Sequence, residues 1–266
     1  WISFYAIVVL ALGNAMFPII WTISTSLKNE VDGFSIPPKW LFEPTFDNYR
    51  TIFTKYPFGS YIWNSLAVGL TSTGVALALG TPAAYALSRF RIKRGDNLAF
   101  FVLSSRMAPP TLVILPFFLL FSDLGLLDTR TSLVVVYLTF NLSFVVWLMK
   151  TFFDDIPVEL DEAAMIDGCS RFRAFLQIVL PLSSSGLAAT SILCLITSWN
   201  EFLFALVLTS NHSKTLPIAI TSFIQFTGTR WGELCAAATV MIMPLILFGF
   251  LVQRRLVSGM TFGAVK

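Results

Sequence analysis

The chain has 266 residues, 56% of them hydrophobic and only 12% charged, with a mean hydropathy of +0.76; a water-soluble domain carries roughly twice that charged fraction, so an aqueous globular fold is excluded. A net charge of +3 implies no nucleic-acid partner. The cysteines Cys169, Cys194 and Cys235 have no paired spacing and His212 is the sole histidine, so neither a disulfide framework nor a metal site is expected.

A bilayer core takes about 20 mostly apolar residues per helix. By that measure the fold class is all-α integral membrane, with about six spans, near 2–26, 63–87, 98–122, 132–150, 183–208 and 233–252. Trp1 to Leu27 is apolar for longer than a signal core and has no basic leader, so it reads as a first span rather than a cleavable signal. The segment 28–62 is polar and proline-containing, with a surface helix expected over Asp47–Lys55. A short basic loop, 88–97, follows the second span, and a tight turn, 123–131, follows the third. Residues 151–182 form a long amphipathic loop, 209–232 another loop, and 253–266 a tail. Pro18, Pro82, Pro109, Pro110, Pro116 and Pro244 fall within spans, where each removes a backbone donor and is expected to kink its helix.

Orientation follows from lysine and arginine. Arg89, Arg91, Lys93 and Arg94 crowd into the 88–97 loop, and dense positive charge in a short loop marks the cytoplasmic side. The 151–182 loop and the tail fall on that same side.

That loop reads DDIPVELDEAAMIDGCSRFRAFLQIVLPL over 154–182. Pro157 suits the first turn of a helix. Glu159, Asp161 and Glu162 crowd the early turns, where the helix dipole favours negative charge. Gly168 can close the helix, and Ser170 can cap a second one that runs to Pro181. Leu160, Ala163, Ala164 and Asp167 lie at i, i+3, i+4 and i+7, and the two alanines make a low ridge that a partner's backbone can approach. The alternative on these residues alone is an amphipathic helix resting on headgroups, although such helices are usually basic.

The segment resembles the Glu-Ala-Ala (EAA) loop of ABC importer permeases: Glu162-Ala163-Ala164, three residues, Gly168, nine residues, Ile178, one residue, Leu180-Pro181. Further phrases are similar to the carbohydrate-transporting, maltose-system (MalG-like) type of binding-protein-dependent permease. They are Phe46-Asp47-Asn48-Tyr49, Leu124-Gly125-Leu126-Leu127-Asp128-Thr129, Trp199-Asn200-Glu201-Phe202 and the tail Gly259 to Lys266. The resemblance covers essentially the whole chain. It implies a type I ABC importer permease fold, residues 1–266 as a single transmembrane permease domain, and a multi-pass place in a bacterial or archaeal cell membrane. It also implies a second (MalF-like) permease, two copies of a cytoplasmic ABC ATPase that bind ATP and Mg, and an extracytoplasmic solute-binding protein, with membrane lipid around them. Glu162, Ala163, Ala164, Asp167 and Gly168 would then form the coupling helix docked on the ATPase. The solute would be a di- or oligosaccharide or a polyol.

Ionisable residues at membrane depth are costly and need a reason. Arg106 precedes Pro109-Pro110 in the third span. Glu201, beside Trp199 and Asn200, lies roughly 27 Å above the cytoplasmic end of the fifth, at a 1.5 Å rise per residue. These four are translocation-path candidates, with Trp199 able to stack on a sugar face. The alternative is ordinary interhelical pairing. Two other functions compete, an intramembrane enzyme and a passive channel. Asp154-Asp155 with Glu159 and Asp161 does not make a DDxxD spacing, and the chain has no GxSxG or HExxH motif. There is no filter-like glycine-rich loop, and no GxxxxGK[ST] sequence, so nucleotide hydrolysis must come from a partner.

Overall fold

The computed structural model describes residues 1–90, 92–225 and 228–262. Arg91 of the basic loop and residues 263–266 of the tail lie outside the described residues. Fourteen α-helices, one 3-10 turn, one π-turn and a hairpin of two two-residue strands are assigned among those described. Four helices are long and apolar enough to cross a membrane, and six spans result if each of two bent helix pairs counts as one. The residues divide into two compact units, Trp1–Trp63 with Thr215–Ile246, and Asn64–Lys214 with the segment from Leu247.

The first unit opens with α1, Ile2–Ser26, whose most apolar stretch is exposed along its length. A one-turn helix, α2 (Glu30–Gly33), is capped by Asn29, whose side chain accepts from the Asp32 amide. The expected surface helix is present as α3, Asp47–Lys55. It is clamped to the end of α1: Asn48 Nδ2 donates to the carbonyls of Ser26 and Lys28 at 2.9 and 2.8 Å, and the Tyr49 and Ser26 hydroxyls lie 2.7 Å apart. These bonds satisfy carbonyls that a helix terminus leaves without intrahelical partners.

The second unit is built around α4 (Phe58–Arg89, entering at Asn64), followed by α5 (Gly95–Ser104) and α6 (Pro110–Asp123). The expected third span, 98–122, is not a continuous helix: its halves meet at 87°. The cause is local. A residue before proline is driven out of the α region, and Ala108 and Pro109, each followed by proline, sit at ψ 125° and 126°. The other span prolines, Pro18, Pro82, Pro116 and Pro244, lie inside helices that continue through them, so among the expected span prolines the helix is interrupted at Pro109-Pro110.

Next come α7 (Arg130–Asp154), then α8 (Glu159–Ile166) and α9 (Arg171–Ala174) in the long loop. A π-turn over Phe175–Val179 leads into α10 (Leu180–Leu182) and, after a 77° bend, into α11 (Ser184–Trp199). The expected fifth span, 183–208, is interrupted at 200–202 and resumes as α12, Leu203–Leu208. Beyond it lie α13 (Leu216–Thr221), the hairpin strands β1 (Ile224–Gln225) and β2 (Gly228–Thr229), and α14 (Trp231–Phe262). The last helix therefore continues ten residues past the expected end of the sixth span at 252, through most of the expected tail.

In the second unit α4, α7 and α11 pack closely. A Cβ at Gly80 would meet Val145 at 2.7 Å, and one at Gly186 would collide with the Phe152 ring. Small residues that let helix backbones approach are the usual means of association where lipid supplies no hydrophobic drive.

Candidate functional site

The long loop folds as its local chemistry requires. Pro157 lies just outside α8, two positions before its first residue rather than in its first turn, and its carbonyl accepts from the Leu160 amide. Glu159, Asp161 and Glu162 fill the first turn. Gly168, at φ +87°, ends the helix in a backbone conformation that L side chains rarely adopt, and the Cys169 amide returns to the Ala164 carbonyl at 2.9 Å. Ser170 Oγ accepts from the Arg173 amide and starts α9. Helix, left-handed stop and capped helix are all where the residues place them.

Asp161 is buried, and nothing in the sequence alone marked it. Arg89, at the end of α4, donates from Nε to Asp161 Oδ2 at 2.8 Å. The Tyr85 hydroxyl donates to Oδ1, and Arg89 Nη2 donates to the Ile156 carbonyl at 2.9 Å. The two charged side chains are only 5% and 7% exposed. A buried charge is tolerated when it is paired and its remaining hydrogen-bonding capacity is filled, and here both carboxylate oxygens are engaged. Beneath this latch, Tyr85, Phe153, Phe175, Met149 and Val179 form a continuous core, with the Tyr85 and Phe175 rings 4.7 Å apart. The loop is thus joined to α4 by charge and to α7 by packing.

The predicted outer ridge is partly corrected. Ala164 is 4% exposed and packs inward, so it belongs to the inner face with Asp161. Leu160, Ala163 and Asp167 do point outward, together with Glu162. Ile166, 87% exposed, and Phe172 add apolar surface beside them. The outer face of α8 is therefore apolar and acidic, with a low centre at Ala163.

The four intramembrane candidates differ in exposure and in partners. Arg106 is exposed at the break between α5 and α6, its guanidinium 4.4 Å from the Phe144 ring centroid. Trp199 is 3% exposed, so its ring is interior packing and is not offered to a solute; this corrects the expected stacking role. Asn200 is exposed and donates to the Ile196 carbonyl at 2.9 Å. Glu201 accepts the Phe204 and Ala205 amides at 2.9 and 3.1 Å, and the Tyr137 hydroxyl at 2.8 Å. Its carboxylate covers the open N-terminus of α12, where unpaired amides and the dipole favour an anion.

Two further polar constellations escaped the sequence reading. Asn141 on α7 donates to Ser198 Oγ at 2.8 Å, while Ser72 Oγ lies 3.4 Å from both groups, tying α4, α7 and α11 at a fully buried point. Polar residues inside spans were the available signal. In the turn after α6, Asp128 accepts backbone amides of Ser210, Asn211, His212 and Ser213 at 3.0–3.2 Å. Partial burial pushes its carboxyl up, but the four amides together outweigh that and hold it well below the usual carboxylate range. Asn64 Nδ2 donates to the His212 and Lys214 carbonyls at 3.0 and 2.9 Å and accepts from Arg130 Nε at 2.8 Å, completing the same loop.

The family described as "Binding-protein-dependent transport system inner membrane component" matches residues 76–262. A trehalose transport system permease of Mycobacterium tuberculosis is 38% identical over 264 residues, 97% of this chain and 94% of the relative. A trehalose/maltose transport system permease of Thermococcus litoralis is 34% identical over 255 residues, covering 94% and 91%. Among solved structures, a chain of a bacterial ABC transporter involved in import of the acidic polysaccharide alginate superposes with a TM-score of 0.77 over 95% of both chains, at 24% identity.

Proposed function

The chain belongs to the binding-protein-dependent transport system inner membrane component family, as a transport subunit and not an enzyme, and we propose that it forms half of the translocation path of an ATP-driven carbohydrate importer. The single permease domain, residues 1–266, works beside a second permease of similar type. Two copies of a cytoplasmic ATPase, which bind ATP and Mg, drive it, and an extracytoplasmic binding protein delivers the solute. The trehalose and maltose named for two relatives favour a di- or oligosaccharide over a polyol.

The observation that carries the coupling role is the two-faced α8. Its outer face offers Glu162, Ala163, Asp167 and the Gly168 stop to the ATPase. Its inner face, through Asp161 and Ala164, is rigidly joined to α4 and the core. A force applied to the outer face is then passed to a membrane helix rather than lost in a loose loop. Arg106 and Asn200, both exposed, remain the path candidates of this chain, and Glu201 and Trp199 support them from within the protein.

The deciding experiment is uptake by the assembled importer in proteoliposomes, over a panel of trehalose, maltose, longer oligosaccharides and polyols. Uptake of one or more sugars that requires ATP, the ATPase and the binding protein is expected. Flux without nucleotide would make the chain part of a channel, and a preference confined to polyols would overturn the sugar assignment.

A further inference from the structure

Beyond the transport path, the first unit holds a cavity of about 500 Å³ between the end of α1, the segment after it and the start of α14. Its walls are mostly apolar, including Trp21, Ile36, Pro38, Trp231 and Leu234. Lys28 also lines it and is only 3% exposed. The Lys28 ammonium lies 4.8 Å from the Trp21 ring centroid and 5.0 Å from that of Phe42. Among the described residues no carboxylate pairs with it: the nearby Asp32 is taken by Lys39, at 2.6 Å. A second lining group, the buried Thr25 hydroxyl, has no hydrogen-bond partner.

An ammonium carries three donors. Ring faces attract the charge but accept none of these protons conventionally, so the site holds an unfilled demand for an anionic acceptor. The unpartnered threonine hydroxyl adds another donor beside it. A buried polar group left this way is a cost that a ligand removes.

We propose that this cavity binds the phosphate of an anionic phospholipid headgroup, with Lys28 and Thr25 as donors and the apolar wall against the upper acyl chain. Three observations favour a lipid over a free ion. The cavity is walled by two apolar spans, α1 and α14. Lys28 follows the end of α1 directly, at the level where a span meets the headgroups. Trp21 and Trp40, 5.2 Å apart edge to face, and Trp231 form the aromatic belt typical of that depth. The site would hold the first span in place without touching the solute path.

The test is native mass spectrometry of the assembled importer titrated with phosphatidylglycerol or phosphatidylcholine, alongside thermal unfolding in nanodiscs of each lipid. The wild type should retain phosphatidylglycerol and be stabilised by it relative to phosphatidylcholine. Lys28→Met should weaken that preference by about tenfold, as loss of a charge-assisted contact implies, and Lys28→Arg should restore it. If Lys28→Met fails to assemble, Thr25→Val carries the test and should lower phosphatidylglycerol retention while leaving phosphatidylcholine unchanged. Equal retention of both lipids by the wild type, or by wild type and both variants, overturns the site. Stabilisation by inorganic phosphate as strong as that by phosphatidylglycerol overturns the lipid assignment in favour of a soluble phosphate.

Discussion

Arg89 and Asp161 meet 2.8 Å apart at the root of the long 151–182 loop, with both side chains almost wholly buried. The pair joins the last turn of a membrane helix to α8, the helix proposed above to dock on the ATPase. The Tyr85 hydroxyl and the Ile156 carbonyl complete its hydrogen bonding.

Removing one member of such a pair leaves an uncompensated buried charge. Asp161→Ala should therefore destabilise the second unit by about 3 kcal/mol. It should also reduce sugar uptake more than ATP hydrolysis, because the docked helix would move without carrying α4. Thermal unfolding and the ratio of sugar moved to ATP hydrolysed, measured on one preparation, test both halves. The double variant Arg89→Met/Asp161→Leu should recover stability without recovering tight coupling. Unchanged coupling in Asp161→Ala would remove the latch from the transmission path.

Gly168 ends α8 at φ +87°. A side chain there costs about 1–2 kcal/mol, and nothing lies within 4 Å of where its Cβ would sit, so the penalty is backbone strain alone. Gly168→Ala should lower stability by that amount and reduce uptake by reorienting the outer face of α8. Gly168→Asn, which tolerates the left-handed region better, should be milder in both. Equal effects would show that bulk, not strain, matters at this turn.

Asp128 holds the 210–213 backbone through four amides. Its carboxyl is depressed in the folded protein, so the anchoring is present above the unfolded carboxylate value of about 3.9 and is lost only as pH falls below it. Hydrogen exchange at Ser210–Ser213 should therefore show pH-independent protection above about pH 5 once intrinsic rates are divided out. Asp128→Asn should remove much of that protection across the whole range and cost about 1–2 kcal/mol. Protection that already falls between pH 7 and 5 would count against this anchor.

Glu201 spans the break between α11 and α12 with both carboxylate oxygens engaged. Glu201→Gln keeps the shape but weakens the cap and the Tyr137 bond, so a stability loss of about 1–2 kcal/mol is expected. Uptake per assembled complex should stay within about twofold, since a structural cap does not alter the transport step. A large fall in uptake by a fully assembled variant would return Glu201 to the solute path.

The helix order of the long loop was legible because its determinants are local. Gly168 supplies the left-handed stop and Ser170 the cap, each acting within three residues of itself. Asp47–Lys55 was readable for the same reason. The break at Pro109-Pro110 was written in the sequence as two consecutive prolines, but a hydropathy window averages over such a point and returned one span. Trp199 was misread because its neighbours Asn200 and Glu201 suggested a polar lining, whereas packing decides which way a ring points. Asp161 was read as one more acid in a first turn; its partners, Tyr85 and Arg89, are 76 and 72 residues away.

Composition, hydropathy and the spacing from Glu162 to Pro181 therefore determined the membrane class, the approximate spans and the family. All of these depend on residue type summed over short windows. Tertiary structure alone decided that Ala164 turns inward while Ala163 turns outward, that Asp161 latches the loop to α4, and that Lys28 faces a cavity with no carboxylate among the described residues to pair with it. Those facts rest on contacts between segments distant in the chain. Burial and charge pairing there are set by how helices pack, which no local pattern of residues specifies.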